Sequence, residues 1–278
     1  MNLDFSLAPG FSLQIASRID RSSSYPTARI QKGLVLLYDD QDLSEEAVGF
    51  GVPVAKRGLQ TIFPGEVDLY LHGGRPHTRF SARYKLNLEE RITRKGNGSI
   101  RNRLVYSGKN SLAAIIRKIP FTRKTLTGTS NLLRSGLAIA STYEECELSA
   151  DVVLTYTIDE NRGTIMVELV GGDFISSNLS EIIVMNELGA HHFDRYQDSD
   201  GICLDGDEIG CWDLVEASQA SFIDQTHRIS FSLPQVKGAR LYRGRELIEP
   251  RLAWSGFGHS FTPALKSFHY EITFKRLP

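Results

Sequence analysis

From Phe80 to Leu88 the chain alternates without a break: Phe80, Ala82, Tyr84, Leu86 and Leu88 are apolar, while Arg79, Arg83 and Lys85 stand between them. Alternation with a period of two belongs to a strand, because successive side chains point to opposite faces of a sheet. A strand of this kind needs an apolar layer on one side and water on the other. Segments with the same character recur along the chain. Residues 33–38 form an apolar run closed by Asp39-Asp40-Gln41-Asp42, and residues 48–64 carry Gly49, Gly51 and Gly58 among β-branched and aromatic residues. Residues 66–71 alternate, 152–158 and 164–170 flank a turn-forming Asp159-Glu160-Asn161-Arg162-Gly163, and 181–188, 228–233 and 268–274 complete the clearest strands.

Helical signals are few. Leu112, Ile115 and Ile116 have helical spacing after Asn110 or Ser111, and Pro120 ends that segment. Asp213 and Glu216 have the spacing of a capping box, predicting a short helix to about Phe222. In residues 131–141 Gly136 interrupts the period. Many strands separated by turn signals predict a mostly β fold: a large antiparallel β-sandwich of two broad sheets with one or two short helices. The 278 residues are expected to form one domain, 1–278, with a weak internal boundary at residues 122–130. Such sandwiches are common among carbohydrate-active proteins, which is an analogy at the level of fold.

No apolar run reaches the ~20 residues that span a bilayer, and the first residues lack a basic stretch followed by an apolar one, so no membrane partner is expected. Three cysteines, Cys146, Cys203 and Cys211, make an odd number that suits reduced thiols and a cytoplasmic location.

Charge is sorted along the chain. Residues 75–134 hold 15 Lys or Arg and two acids, whereas residues 144–216 hold 18 Asp or Glu and two bases. Two readings compete. Basic and acidic strands pair across a sheet and neutralise each other, or the basic block builds an anion site. Tyr106 and Phe121 could stack bases beside the basic residues, but the pI of 6.7, the acidic block and the lack of any nucleic-acid-binding motif disfavour nucleic acid as a partner.

Three stretches carry candidate chemistry. His72-Gly73-Gly74-Arg75-Pro76-His77 is a turn in which an arginine could hold a carboxylate while His72 or His77 takes a proton beside it, with Arg79 and Arg83 adding positive charge. Trp254 and His259 lie in Trp-Ser-Gly-Phe-Gly-His-Ser-Phe, where Trp254 could stack on a sugar ring; a buried core-edge segment is the competing reading. Residues 189–212 hold His191, His192 and many acids, with His191 and Asp194 a reserve acid–base pair. There Asp198, Asp200, Asp205 and Asp207 could ligate calcium, though the register of an EF-hand fails because Asp207 falls where its Glu belongs. Apart from that calcium no cofactor is implied. No Gly-x-Ser-x-Gly elbow, Walker loop, dinucleotide fingerprint or His-Glu-x-x-His is present.

The expectation is therefore an enzyme or binding protein for an anionic carbohydrate or carboxylated metabolite, using arginine to hold the anion and histidine for acid–base work. Lyase, hydrolase and epimerase chemistry all fit. The alternatives are a non-catalytic binding or assembly protein, homo-oligomeric through opposed charged faces, and a single-stranded nucleic-acid binder.

Overall fold

The computed structural model describes residues 4–8, 10–15, 26–58, 60–73, 77–94, 139–174, 178–248, 252–265 and 267–278. Among the described residues eighteen strands, all antiparallel to their neighbours, join in one hydrogen-bonded sheet. The mostly β expectation holds. Among the described residues the only helical turns are 3-10 turns at Pro26–Arg29 and Gly206–Ile209. The helix expected from Asp213 is instead β13 (Asp213–Val215) followed by β14 (Gln219–Asp224). Asp213 finds its partner across the sheet, 3.9 Å from Arg243, so tertiary pairing overrides the local capping signal. The segment 111–118 and the boundary at 122–130 lie outside the described residues.

The sheet can be followed strand by strand. β5 (Gly49–Arg57), β10 (Glu181–Leu188), β17 (Leu252–Phe261), β16 (Arg240–Ile248) and β13 form one stretch. From the other side of β5 the order is β6 (Gln60–Leu71), β7 (His77–Arg94), β8 (Ile139–Asp159), β9 (Thr164–Gly172), β18 (Phe268–Arg276), β15 (Ile229–Pro234), β14, β11 (Arg195–Asp198) and β12 (Cys203–Asp205). β1 (Asp4–Ala8), β2 (Phe11–Ile15), β3 (Leu34–Tyr38) and β4 (Gln41–Asp42) attach to β5 through β3.

The long strands β6 and β7 are bulged where they turn from one stretch into the other. The register shifts at Pro64 and between Leu86 and Leu88. Pro64 has no N–H to give the ladder, and Gly65 N–H donates instead to the Asn87 side chain at 3.1 Å. The two stretches then face each other across the main core. Phe50 meets Phe231 and Phe274 edge-on, and Phe257 packs on Phe222 and Phe231. Polar groups at its centre bond to one another: Asn186 Oδ1 accepts from Gly51 N–H and Tyr270 O–H, and Tyr156 O–H donates to the Gly51 carbonyl. Gly51 has φ +74°, and a Cβ there would lie 2.4 Å from the Tyr156 ring, so the tyrosine has its seat only because this residue is glycine. A smaller cluster, Ile30, Val52, Val54, Leu88, Tyr143, Ile183 and Met185, covers the opposite face of β5 and β10.

Candidate functional site

Among the described residues of the basic block, four basic side chains face acids. Arg79 lies 3.5 Å from Glu168, Arg83 3.1 Å from Asp151, Lys85 3.5 Å from Glu66 and Arg91 3.2 Å from Glu144. The first three pairs are on the outward face of the β6–β9 stretch, opposite the core-facing Phe80, Ala82, Tyr84 and Leu86, and the fourth lies beyond the β7 bulge. His72 ends β6 on the same outward side, its Nε2 2.7 Å from Ser81 Oγ, which in turn meets Thr155 Oγ1 at 2.8 Å. His77 opens β7, its side chain lying outside the described residues, as does Arg75.

Trp254 and His259 belong to a different part of the sheet. Trp254 is 7% exposed; its Nε1–H donates to Glu246 at 3.3 Å and its ring packs against Trp212. This leaves little of its face for a ligand. His259 is fully buried between Phe268 and Tyr270, with Nε2 3.0 Å from the Pro234 carbonyl and Nδ1 unpartnered. Burial lowers its pKa to about 4. The structure therefore keeps Arg79, Arg83 and His72 on one outward face and puts Trp254 and His259 elsewhere, on β17.

The four aspartates proposed for calcium each serve a different partner. Asp198 accepts the Tyr196 hydroxyl at 2.8 Å and the N–H groups of Asp200 and Ile202, which folds its own turn. Asp200 Oδ1 faces the Ser199 hydroxyl, Asp205 faces Arg195, and Asp207 faces Arg245. Asp194 is exposed, and its carbonyl holds Gly206 N–H.

His191 leads to the strongest constellation. Three turns converge at one end of the strands. The first follows β4, where Ser44 N–H bonds to Asp42, Ala47 N–H to Ser44, and Glu45 takes φ +47°. The second follows β10, where the N–H groups of His192 and Phe193 both bond back to the Gly189 carbonyl. The third joins β14 to β15, where the Asp224 carboxylate accepts the backbone N–H of His227 at 3.0 Å. Gly189 fastens the first two together: its N–H donates to the Leu43 carbonyl, and a Cβ on it would lie 2.4 Å from Glu45 Oε2. A left-handed Glu45 beside a glycine is a costly arrangement held by its surroundings.

The side chains meet within this frame. His227 Nδ1 is 2.6 Å from Asp224 Oδ2, and His192 Nδ1 is 3.9 Å from the same oxygen. The other nitrogen of His192, Nε2, is 3.5 Å from Glu45 Oε1, while His191 Nδ1 is 3.0 Å from Glu45 Oε2. The His192 and His227 rings lie 5.2 Å apart, and Tyr38 packs on His227 at 4.8 Å. Side-chain exposure falls from 44% at His191 through 15% and 13% at His192 and His227 to 0% at Asp224, so the cluster runs inward from the surface. A buried carboxylate that fixes one imidazole nitrogen leaves the other free for proton transfer. Of these five residues His191 was singled out in the sequence as an acid–base candidate. Asp224-Gln-Thr-His227 offered only a turn-forming acid three residues before a histidine.

No protein-family model matches the chain, and no curated protein matches it. Among solved structures, the α-N-acetylgalactosaminidase NagBb from Bifidobacterium bifidum, in complex with GalNAc, aligns at 8% identity and a TM-score of 0.49, covering 99% of this chain and 36% of the enzyme. The chain thus spans little more than a third of that enzyme. Slr1438 from Synechocystis sp. PCC 6803 aligns at 8% identity and a TM-score of 0.38, covering 99% of this chain and 95% of its own. At this level of likeness no side-chain role transfers.

Proposed function

We propose that the protein is an enzyme that moves a proton on a carbohydrate or carboxylated metabolite, with His227 as the base. The observation that carries this reading is the Asp224–His227 pair: a carboxylate with no exposed surface holding the Nδ1–H of an imidazole at 2.6 Å. Such a partner sets the tautomer, so that Nε2 bears the lone pair that accepts a proton. His192 and Glu45, 3.5 Å apart, supply a second acid–base couple on the neighbouring turn. Protons that a neutral imidazole can take include those on a hydroxyl or on the carbon next to a carbonyl or carboxylate. Sugars and sugar acids carry all of these. The arginines of β7 are engaged with acids of the same sheet, so this reading does not draw on them for holding an anion.

The test is solvent exchange. In deuterated water, proton NMR of a panel of aldoses, ketoses and uronates is expected to show enzyme-dependent deuterium incorporation at one carbon or loss of one anomer's excess. His227→Gln should slow it by about 100-fold or more, the usual weight of a positioned base. A folded His227→Gln protein with an unchanged rate overturns the assignment.

A further inference from the structure

We infer that His192, Asp224 and His227 form a divalent transition-metal site with an open coordination position. The ligand atoms of these three residues lie within 4.8 Å of one another, and among the described residues this is the one group of three or more histidine, cysteine or acidic side chains that does so. Two imidazoles and one carboxylate are a donor set for zinc or a neighbouring first-row ion, not for calcium, which takes six or more oxygens.

The distances fit a site that closes slightly around an ion. Asp224 Oδ2 is 2.6 Å from His227 Nδ1 and 3.9 Å from His192 Nδ1. Those values bracket the edge of about 3.3 Å expected of a tetrahedron with bonds of 2.0–2.1 Å. The neighbouring groups supply a second, independent indication. A metal-bound imidazole ordinarily turns its other nitrogen to a carboxylate, and His192 does so: Nδ1 faces Asp224 while Nε2 faces Glu45 Oε1 at 3.5 Å. Glu45 is held in that place by a left-handed backbone and the missing Cβ of Gly189. Tyr38 packs against His227 and limits its rotation. Three protein ligands leave a fourth position open, the arrangement of a catalytic rather than a structural ion. The inference rests on this cluster being the functional centre. A bound ion would give it a base in another form, since coordination lowers the pKa of a water ligand to about 7.

The test uses the full chain, in wild-type form and with Cys203→Ser and Cys211→Ser to remove exposed thiols. After chelation and dialysis it is titrated calorimetrically with Zn2+ and spectroscopically with Co2+. One equivalent is expected to bind, with cobalt visible bands of a four- or five-coordinate N/O site. His192→Gln and His227→Gln should each weaken binding at least 100-fold, and Glu45→Gln, which leaves the ligands in place, by 10- to 100-fold. Absence of stoichiometric binding, or binding unaltered in the folded double variant His192→Gln/His227→Gln, overturns the site. The exchange assay separates the two ideas. Exchange that depends on His227 in chelated protein, without ion binding, removes the metal and leaves proton transfer. Stoichiometric binding at these residues with no exchange on any substrate supports the metal site and removes the proposed reaction.

Discussion

His227 Nδ1 and Asp224 Oδ2 are 2.6 Å apart, and the carboxylate has no exposed surface. The same carboxylate accepts the His227 backbone N–H, so one buried group shapes the turn and aims the ring. Asp224→Asn keeps the shape but offers the ring an amide, which favours the other tautomer. Its turnover is expected to fall by about 100-fold or more, while urea unfolding shows a loss of about 1–3 kcal/mol from the broken charge-assisted bonds. Kinetics and equilibrium unfolding of the same sample check both halves.

Glu187 sits on β10 with 5% exposure, and burial pushes its pKa up to about 8. The bond from Val48 N–H opposes the shift and the nearby Glu246 adds to it. The folded state therefore holds its proton where the unfolded state has released it. The stabilisation is complete below about pH 4.5 and is lost as pH rises through about 8. Glu187→Gln stays neutral throughout, so the variant is expected to gain on the wild type across that window, by as much as about 5 kcal/mol at the alkaline end. Denaturant midpoints from pH 4 to pH 9 measure the difference.

His259 has the opposite sign. Its folded pKa, lowered by burial to about 4, lies below the unfolded value of 6.5, so the unfolded chain binds the proton first. Its contribution is present above about pH 6.5 and is lost as pH falls through about 4. His259→Phe removes that titration. Acid unfolding should therefore shift to lower pH in the variant, the histidine accounting for about 3 kcal/mol over the interval. A variant whose acid transition coincides with the wild type's counts against the buried neutral imidazole.

Gly256 has no left-handed backbone, yet a Cβ on it would lie 2.1 Å from the Asn186 carbonyl. It faces Glu187 across β10 and Gly244 across β16, in the middle of the sheet. Gly256→Ala must push two paired strands apart, and the expected cost exceeds about 3 kcal/mol, beyond the usual range for one substitution. Gly73→Ala, where a Cβ meets nothing within 4 Å, serves as the neutral control in thermal unfolding.

Strands were legible both as continuous apolar runs and as alternation. β10, buried on both faces, occupies the expected residues 181–188, and the alternation of β7 puts Phe80, Ala82, Tyr84 and Leu86 in the core. The Asp213–Glu216 spacing misled because a capping box is a local signal, and the ion pair with Arg243 and the ladder to β16 are not local. The candidate site hid for the same reason. His191 and Glu45 are 146 residues apart, and Asp224 and His227 belong to a third turn. Only the path of the strands brings these turns together. His72 and the β7 arginines drew notice because they are neighbours in sequence, and alternation then turned those arginines toward acids on β8 and β9.

The bulge in β7 also solves a problem that burial cannot. Sliding β7 by two residues along β6 and β8 would return apolar side chains to the core and basic ones to water, so the hydrophobic effect barely distinguishes that alignment from the native one. Charge barely distinguishes it either, since a slide in one direction would set Arg83 opposite Glu66 and Asp151 in the place of Lys85. Cross-strand pairs worth about 0.2–1 kcal/mol each add little to stability. The bulge works instead as a checksum, because any slide takes Asn87 away from the Gly65 N–H and moves the irregularity between Leu86 and Leu88 off its place.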